Sequence, residues 1–159
     1  MEVKSRHHLR SDAVSDLEDT LAERFGISLD AEHYERVVFV DAPFEVVLID
    51  GDPAAFQVDD EFAPTVRGAN EYPPTKRIVE VDTGAISFVS DGANVMRPGI
   101  VDADDAIAAG EIVTIAEETH GKTLAVGRAA VSGTEMIGES GMVVESIHHV
   151  GDDLYDFTP

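Results

Sequence analysis

The pattern of apolar and polar positions begins with one amphipathic helix. Its apolar residues recur at the spacing of a single helix face: Val14, Leu17, Leu21 and Phe25. Ser11 stands just before this run and is predicted to be its N-cap, and Gly26 is predicted to end it. The pattern therefore predicts a helix that follows Ser11 and ends before Gly26.

Short runs rich in Val and Ile follow this helix and predict a small sheet. The predicted strands are 37–40, 44–49 and 55–58. Asp50-Gly51 is typical of a hairpin turn between the last two. Residues 62–74 have no clear period, and they end in two prolines, which stiffen the chain and break helices. We therefore predict a boundary here, with one part over residues 1–77 and another over 78–159.

The second part reads as closely spaced short strands with one short helix. The predicted helix covers 84–90 and ends at Gly92. The predicted strands are 79–81, 93–96, 112–116, 123–130, 142–149 and 154–157. Short strands joined by glycine-rich turns favour a small closed or nearly closed barrel. The predicted fold class is therefore α+β, an N-terminal α/β module followed by a small β-barrel.

Residues 81–100 carry the most specific motif of the chain. They read VDTGAISFVSDGANVMRPGI, and this helix, turn and Pro-Gly resemble the opening of a PUA domain, a small RNA-binding β-barrel. Three further blocks continue the resemblance: GEIV at 110–113, HGKTLAVG at 120–127 and GMVVESIHHVGDDLY at 141–155. Tyr155 stands where many relatives have tryptophan. The resemblance implies that residues 78–159 form a PUA domain.

The first half is similar to the module that precedes the PUA domain in the malignant-T-cell-amplified-sequence family. The similarity lies in the helix, in IDG at 49–51, in FAPT at 62–65 and in Tyr72-Pro73. Members of this family are translation factors with archaeal relatives. The resemblance implies a pre-PUA module over residues 1–77.

The family resemblance implies a non-catalytic RNA-binding protein that acts in translation, in initiation or recycling. The expected partners are RNA (tRNA through its acceptor end, or rRNA), the small ribosomal subunit and a translation-factor protein. An alternative is an accessory subunit or remnant of an RNA-modification enzyme, because PUA-like domains often accompany catalytic domains.

The net charge of −21, from 32 acidic against 11 basic residues, is unusual for an RNA-binding protein. The acids are spread along the whole chain, which argues against an acidic tail. In a cytoplasm with molar salt the Debye length is about 3 Å, so the repulsion among the acidic residues is largely screened and a uniformly acidic chain is favoured. We infer a cytoplasmic protein of a halophilic archaeon, in which the informative positions are those where acids are missing.

The acid-poor windows supply the candidate RNA-binding residues. Glycine and alanine let a sugar-phosphate backbone approach closely, Arg97 can contact a phosphate or stack on a base, and Asn94 can hydrogen-bond to an unpaired base. Lys122 and Arg128 lie on the predicted central hairpin. They can contact RNA, or equally they can be ordinary solvated charges of a turn. The predicted RNA-binding residues are Gly92, Ala93, Asn94, Arg97, Pro98, Gly99, Lys76, Arg77, Lys122 and Arg128.

A second basic window lies at the N-terminus and includes His7 and His8. We predict that Lys4, Arg6 and Arg10 bind the ribosome or a partner protein. A frayed terminus is the alternative interpretation.

Motifs for catalysis, metals and membranes are absent or fail. Residues 116–123 resemble a P-loop, but they lack its first glycine and lead into a strand rather than a helix. Adjacent histidines, as in His148-His149, point to opposite faces of a strand, so no metal site is expected. No cofactor motif, secretory signal or apolar run of about 18 residues is found, and we expect no cofactor and no membrane association.

Overall fold

The computed structural model describes residues 1–159 and contains two β-sheets and four α-helices. The helices are α1 (Ser11–Phe25), α2 (Val66–Glu71), α3 (Ile86–Ser90) and α4 (Asp153–Asp156). The strands before residue 65 are β1 (Val3–His8), β2 (Tyr34–Phe39), β3 (Glu45–Ile49), β4 (Asp52–Val58) and β5 (Glu61–Pro64). The later strands are β6 (Ile78–Val81), β7 (Val95–Met96), β8 (Ile100–Ala103), β9 (Ile112–Glu117), β10 (Thr123–Ala129) and β11 (Met142–His149). The α+β fold class is confirmed.

The first sheet is an antiparallel meander in the order β1-β2-β3-β4-β5. Helix α1 buries its predicted stripe, with Leu17, Leu21 and Phe25 in the same core as the inner face of the sheet. Gly26 ends the helix in the left-handed conformation, as predicted, with φ of 66°. The predicted N-cap is wrong, because Arg10 precedes the helix and Ser11 is already its first residue.

The second sheet has the order β7-β11-β10-β9-β6-β8, and only β6 and β9 pair in parallel. The two edge strands, β7 and β8, are consecutive in the chain and are joined by a single 3-10 turn over Arg97–Gly99. The sheet must therefore curl until its edges come close, and it forms the predicted, nearly closed barrel. Its interior is a separate core that includes Val79, Ile115 and Val143.

Two further local predictions are wrong, and one alternative interpretation does not hold. Residues 154–157 are not a strand: the side chain of Asp152 accepts a hydrogen bond from the Tyr155 N–H at 2.8 Å and caps α4. The stretch after residue 61 is regular, since it forms β5 and α2. The N-terminus is not frayed, because β1 pairs with β2 along its length.

Helix α2 joins the two halves. It packs against β4 of the first sheet and β10 of the second. The Asn70 side chain donates to the Thr123 carbonyl at 3.1 Å and accepts from the Thr123 N–H at 2.8 Å. The first core also takes in Ile112, Val126 and Leu154 from the second half, so the packing crosses the predicted boundary. None of the helices is long and apolar enough to cross a membrane.

Candidate nucleic-acid interface

A groove of about 390 Å³ opens between α3, β7 and the turn that follows β7. Four residues predicted to bind RNA line it: Ala93, Asn94, Pro98 and Gly99. The other lining residues are Asp82, Gly84, Ala85, Phe88, Val89, Val95 and Met96. The most specific sequence motif of the chain therefore folds into one concave surface.

Short side chains and backbone bonds shape one side of this groove. Asp82 donates its N–H to the Gly99 carbonyl at 2.9 Å, and its carboxylate accepts from the Ala85 N–H at 3.1 Å. A Cβ at Gly99 would lie 3.2 Å from the Cβ of Ala85. The backbone at Gly99 therefore comes close to the turn at residue 85, and small residues keep this part of the groove accessible.

Phe88 is the functional candidate that sequence reasoning missed. Its side chain lines the groove and is 68% exposed, and the neighbouring Met96 is 49% exposed. An exposed phenylalanine is costly to keep in water, and a flat aromatic ring is the usual platform for an unpaired base. The available sequence signal is the short helix, in which Val89 is the buried residue and Phe88 faces elsewhere.

Arg97 lies beside the groove and holds a neighbouring loop. Its Nε donates to the Glu135 carbonyl at 2.9 Å and its Nη1 to the Ser140 carbonyl at 2.8 Å. A Cβ at Gly141 would come within 2.8 Å of Nη1, so the loop is fitted closely around the guanidinium. No carboxylate pairs with Arg97, and its positive charge stays uncompensated by an ion pair.

Gly92 and Asn94 are both engaged with β11. Gly92 has φ of 93°, and a Cβ there would lie 2.7 Å from Nε2 of His149, so it does not line the groove but ends α3 against that ring. The Asn94 oxygen accepts from the Ser146 N–H at 2.9 Å. This bond fixes the orientation of the Asn94 amide, whose NH₂ group is directed away from that bond.

The other predicted RNA-binding cations lie outside the groove. Arg77 forms an ion pair with Glu111 at 3.1 Å, and Arg128 forms ion pairs with Asp59 at 3.2 Å and with Glu61 at 3.0 Å. The bonds of Arg128 tie β10 to the turn between β4 and β5. Lys76 and Lys122 are exposed and have no carboxylate partner, although the Lys76 Nζ approaches the Glu23 carbonyl at 3.4 Å. An RNA-binding role for these four residues stays a prediction.

The N-terminal candidates all lie on or next to β1. Arg6 makes two hydrogen bonds to the Glu35 carboxylate, at 3.1 and 3.0 Å, and Arg10 approaches Asp12 at 3.4 Å. Lys4 is exposed and unpaired. The structure therefore gathers these three cations along one sheet edge, remote in sequence from the groove.

The turn that resembles a P-loop is built around a carboxylate of its own. Glu117 accepts hydrogen bonds from the N–H groups of Thr119, His120 and Lys122 at 3.0, 2.8 and 2.9 Å. The bond from Lys122 is the main cause that lowers the pKa of Glu117. Because these N–H groups already bind an anion, the turn has none of them left to cradle a phosphate.

Glu117→Gln is expected to destabilise the folded chain at neutral pH and to match wild type in acid. A carboxyl whose pKa is lowered on folding stabilises the fold above its unfolded value of about 4.3, and that contribution is lost as the pH falls through the lowered pKa. Denaturant unfolding between pH 7 and pH 3 measures the difference. The neighbouring Glu118→Gln is the control, and an equal loss in both variants would contradict the assignment.

Comparison with known proteins places the groove within a recognised region. The family model described as "PUA domain" matches residues 77–151. Translation machinery-associated protein 20 of Saccharomyces cerevisiae is 37% identical over 69% of this chain and 65% of its own length. Malignant T-cell-amplified sequence 1-A of Xenopus laevis is 31% identical over 76% of this chain and 69% of its own length.

A solved structure matches nearly the whole fold. The crystal structure of hypothetical protein PH0734.1 from Pyrococcus horikoshii superimposes with a TM-score of 0.87 at 30% identity, and the match covers 98% of this chain and 100% of that one. Both halves of the molecule and their arrangement are therefore found in an archaeal chain of known structure.

Proposed function

Because the chain belongs to the PUA-domain family that includes the malignant T-cell-amplified sequence proteins, we propose that it is a non-catalytic RNA-binding protein that acts in translation. The single observation that carries the proposal is the groove between α3 and β7. It lies inside the matched region, and it combines an exposed aromatic ring with small residues and one uncompensated arginine. The yeast relative is named for the translation machinery.

The groove suits the unpaired end of an RNA better than a duplex. A free base can stack on Phe88, and the NH₂ group of Asn94 can donate to the edge of that base. The backbone beside Ala93 and Gly99 leaves room for the sugar-phosphate chain, and Arg97 provides the nearby positive charge. The acceptor end of a tRNA has this chemistry, since its last bases are single-stranded.

The wider basic residues complete the proposal. Lys76, Arg77, Lys122 and Arg128 would contact the body of the RNA outside the groove. The cations of the N-terminal edge, Lys4, Arg6 and Arg10, would dock the first sheet on the small ribosomal subunit or on a translation-factor protein. These two surfaces would let one chain hold an RNA end and a translation complex together.

The acidity of the chain predicts how this binding depends on salt. With a net charge of −21 the protein gains nothing from non-specific attraction to phosphates. Arg97 is the cation that adjoins the groove, and Arg77 and Arg128 outside it are already paired with carboxylates, so few counterions are released from the RNA and the slope of log K against log salt is shallow. Stacking and hydrogen bonding dominate, and they persist in molar potassium chloride.

Binding of tRNA and of small ribosomal subunits in molar potassium chloride tests the proposal. We expect saturable binding of intact tRNA, weaker binding of tRNA without its single-stranded 3′ end, and weaker binding by Arg97→Ala. No saturable binding, with wild type and Arg97→Ala indistinguishable, would refute it. Appearance of modified nucleosides in the incubated RNA would instead favour an RNA-modification role.

Phe88→Ala is expected to weaken RNA binding about tenfold, because one base loses a stacking contact worth ~1–3 kcal/mol. Titration of a fluorescently labelled tRNA acceptor stem measures the change. Val40→Ala is the matched control, since Val40 is an apolar side chain of the first half that is 61% exposed. Equal affinity of Phe88→Ala and Val40→Ala would exclude stacking on Phe88.

A further inference from the structure

The outer edge of β1 has free backbone groups. In the pairing with β2, Leu9 lies opposite Tyr34 and donates its N–H to the Tyr34 carbonyl at 2.9 Å. Residues of an antiparallel edge strand alternate between bonds to the neighbour and bonds to solvent. Arg6 and His8, which face Val37 and Glu35 in the register, therefore direct their N–H and C=O groups away from the sheet.

Strand β1 contributes no side chain to either core. All six of its residues are exposed, and the buried residue nearest to it is Leu9, just after its end. The strand is therefore held by backbone bonds to β2 and by the residues that flank it. Neither face of β1 is covered by a helix or loop that would need its side chains.

The other edge strands are packed against helices, shorter than β1, or acidic. Strand β5 packs against α1 and α2. Strand β7 has only two residues, and β8 includes the acidic Asp102. Strand β1 is the longest edge, and it has Lys4, Arg6, His7 and His8 without any acid. In a chain of net charge −21 an acid-free edge strand is unusual, and because Arg6 is paired with Glu35 of β2, Lys4 is its cation without a carboxylate partner.

We propose that β1 accepts an extended acidic segment of a partner protein as an added strand of the first sheet. A free strand edge offers alternating donors and acceptors, which a polypeptide matches along its length. Lys4, which has no carboxylate partner, favours a carboxylate opposite it. This proposal specifies what binds the N-terminal docking surface described under the proposed function. It depends on the proposed function only in assuming that this surface binds a partner.

The same features disfavour the two other occupants. A second copy of this chain would set Lys4 and Arg6 against the same cations, and like charges opposite each other destabilise strand pairs. RNA would match only half of this edge, because its phosphate oxygens can accept from the outward N–H groups of Arg6 and His8 but have no proton to donate to their outward carbonyls. A basic edge also discourages self-association, which is how native proteins protect such strands.

The test uses the full chain, labelled for NMR, at the lowest potassium chloride concentration at which circular dichroism shows it folded. The probe is an acetylated octapeptide of alternating Glu and Thr, compared with Gln-Thr and Lys-Thr octapeptides. We expect the Glu-Thr peptide to bind most tightly, to shift the amide signals of β1 and to slow hydrogen exchange at Arg6 and His8.

Two variants separate the contributions of the backbone and the charge. His8→Pro removes an outward N–H that the fold does not use and is expected to weaken binding of the Glu-Thr peptide at least tenfold. Lys4→Glu is expected to weaken it several-fold, whereas Arg24→Glu, the same charge change on α1, leaves it unaltered. Circular dichroism and tRNA affinity confirm that His8→Pro remains folded.

Several outcomes would overturn the inference. These are no binding of the Glu-Thr peptide, equal binding of the three peptides, signal shifts confined to other parts of the chain, and pairing of β1 in a homodimer. Perturbation of β1 by small-subunit RNA alone would assign the edge to RNA instead. Because tRNA binding by the groove is measured separately, this inference and the proposed function can fail independently.

Discussion

Gly68→Ala is expected to lower the free energy of unfolding by about 3 kcal/mol. Gly68 lies in the first turns of α2, where a Cβ would stand 1.8 Å from the backbone oxygen of Ala54 in β4. That oxygen already accepts a hydrogen bond from the Thr65 N–H at 3.1 Å. The clash can be relieved only by moving α2 off the sheet, since a backbone oxygen cannot rotate away as a side chain can.

Denaturant unfolding in molar potassium chloride, followed by circular dichroism, measures the loss. Gly84→Ala is the control, because the nearest atom to its added Cβ is a side-chain oxygen of Asp82 at 3.3 Å, which needs to give way only slightly. We expect this control to change the free energy of unfolding by less than about 0.5 kcal/mol. Similar losses in the two variants would mean that α2 does not pack on β4 as closely as described.

The effect would extend beyond α2, because this helix supports the junction of the two halves. Displacement of α2 would strain the paired bonds between Asn70 and Thr123 and the bond from the Val66 N–H to His148. Six residues of helix would not form without such contacts, since isolated short helices are marginal in water. Their stability is tertiary in origin.

The dependence of short elements on tertiary contacts explains which elements could be predicted from the sequence and which could not. Helix α1 has a long apolar stripe that faces one core, so the helical spacing of its apolar residues was enough to predict it. Strand β5 is buried at Phe62, Ala63 and Pro64 and shows no alternation. In α4, Leu154 and Tyr155 fit a strand or a single helical turn equally well, and the cap from Asp152 decides for the turn.

The groove was predictable only in part, for a similar reason. Its small residues, such as Ala93 and Gly99, lie in one continuous motif that resembles a PUA domain. The bonds of Arg97 reach carbonyls 38 and 43 residues later in the chain, and Arg128 reaches Asp59 and Glu61 at separations of 69 and 67 residues. No local pattern reveals such partners, so these arginines looked equally free in the sequence.

Ion pairing in the structure therefore separates the candidate RNA-binding cations from the other basic residues better than their positions in acid-poor windows do. Most arginines are matched to carboxylates, including Arg77 and Arg128. The cations without a carboxylate partner are Lys4, Arg67, Lys76, Arg97 and Lys122. Arg67 is occupied with the carbonyls of Tyr155 and Phe157. Arg97 likewise bonds to two carbonyls, those of Glu135 and Ser140, but it is the one of these cations that adjoins the groove, which favours the prediction that it binds RNA.

His148→Ala is expected to lower the free energy of unfolding by about 4 kcal/mol at neutral pH, the largest effect of any single change proposed for this chain. The ring is buried, its Nε2 accepts from the Val66 N–H at 3.0 Å, and its Nδ1 lies 2.9 Å from an Asp152 oxygen. It also packs edge-on against Phe56, with ring centroids 5.7 Å apart. Alanine leaves a buried N–H unpaired, a carboxylate without its partner and a cavity between the halves.

The pH dependence of stability identifies the pair of His148 and Asp152 as the cause. Burial opposes ionisation of Asp152, but the His148 ring and the N–H groups of His149 and Tyr155 outweigh it and hold the pKa of the carboxyl below its ordinary value. The resulting stability is present above about pH 4 and is lost as the pH falls through the lowered pKa. The deficit of His148→Ala should therefore shrink in acid.

His149→Ala is the matched control, since that ring bonds only to the carbonyls of Ser90 and Val150. A His148→Ala variant as stable as His149→Ala would show that the halves are held together without this histidine, and a deficit independent of pH would show that its pairing with Asp152 is not the cause.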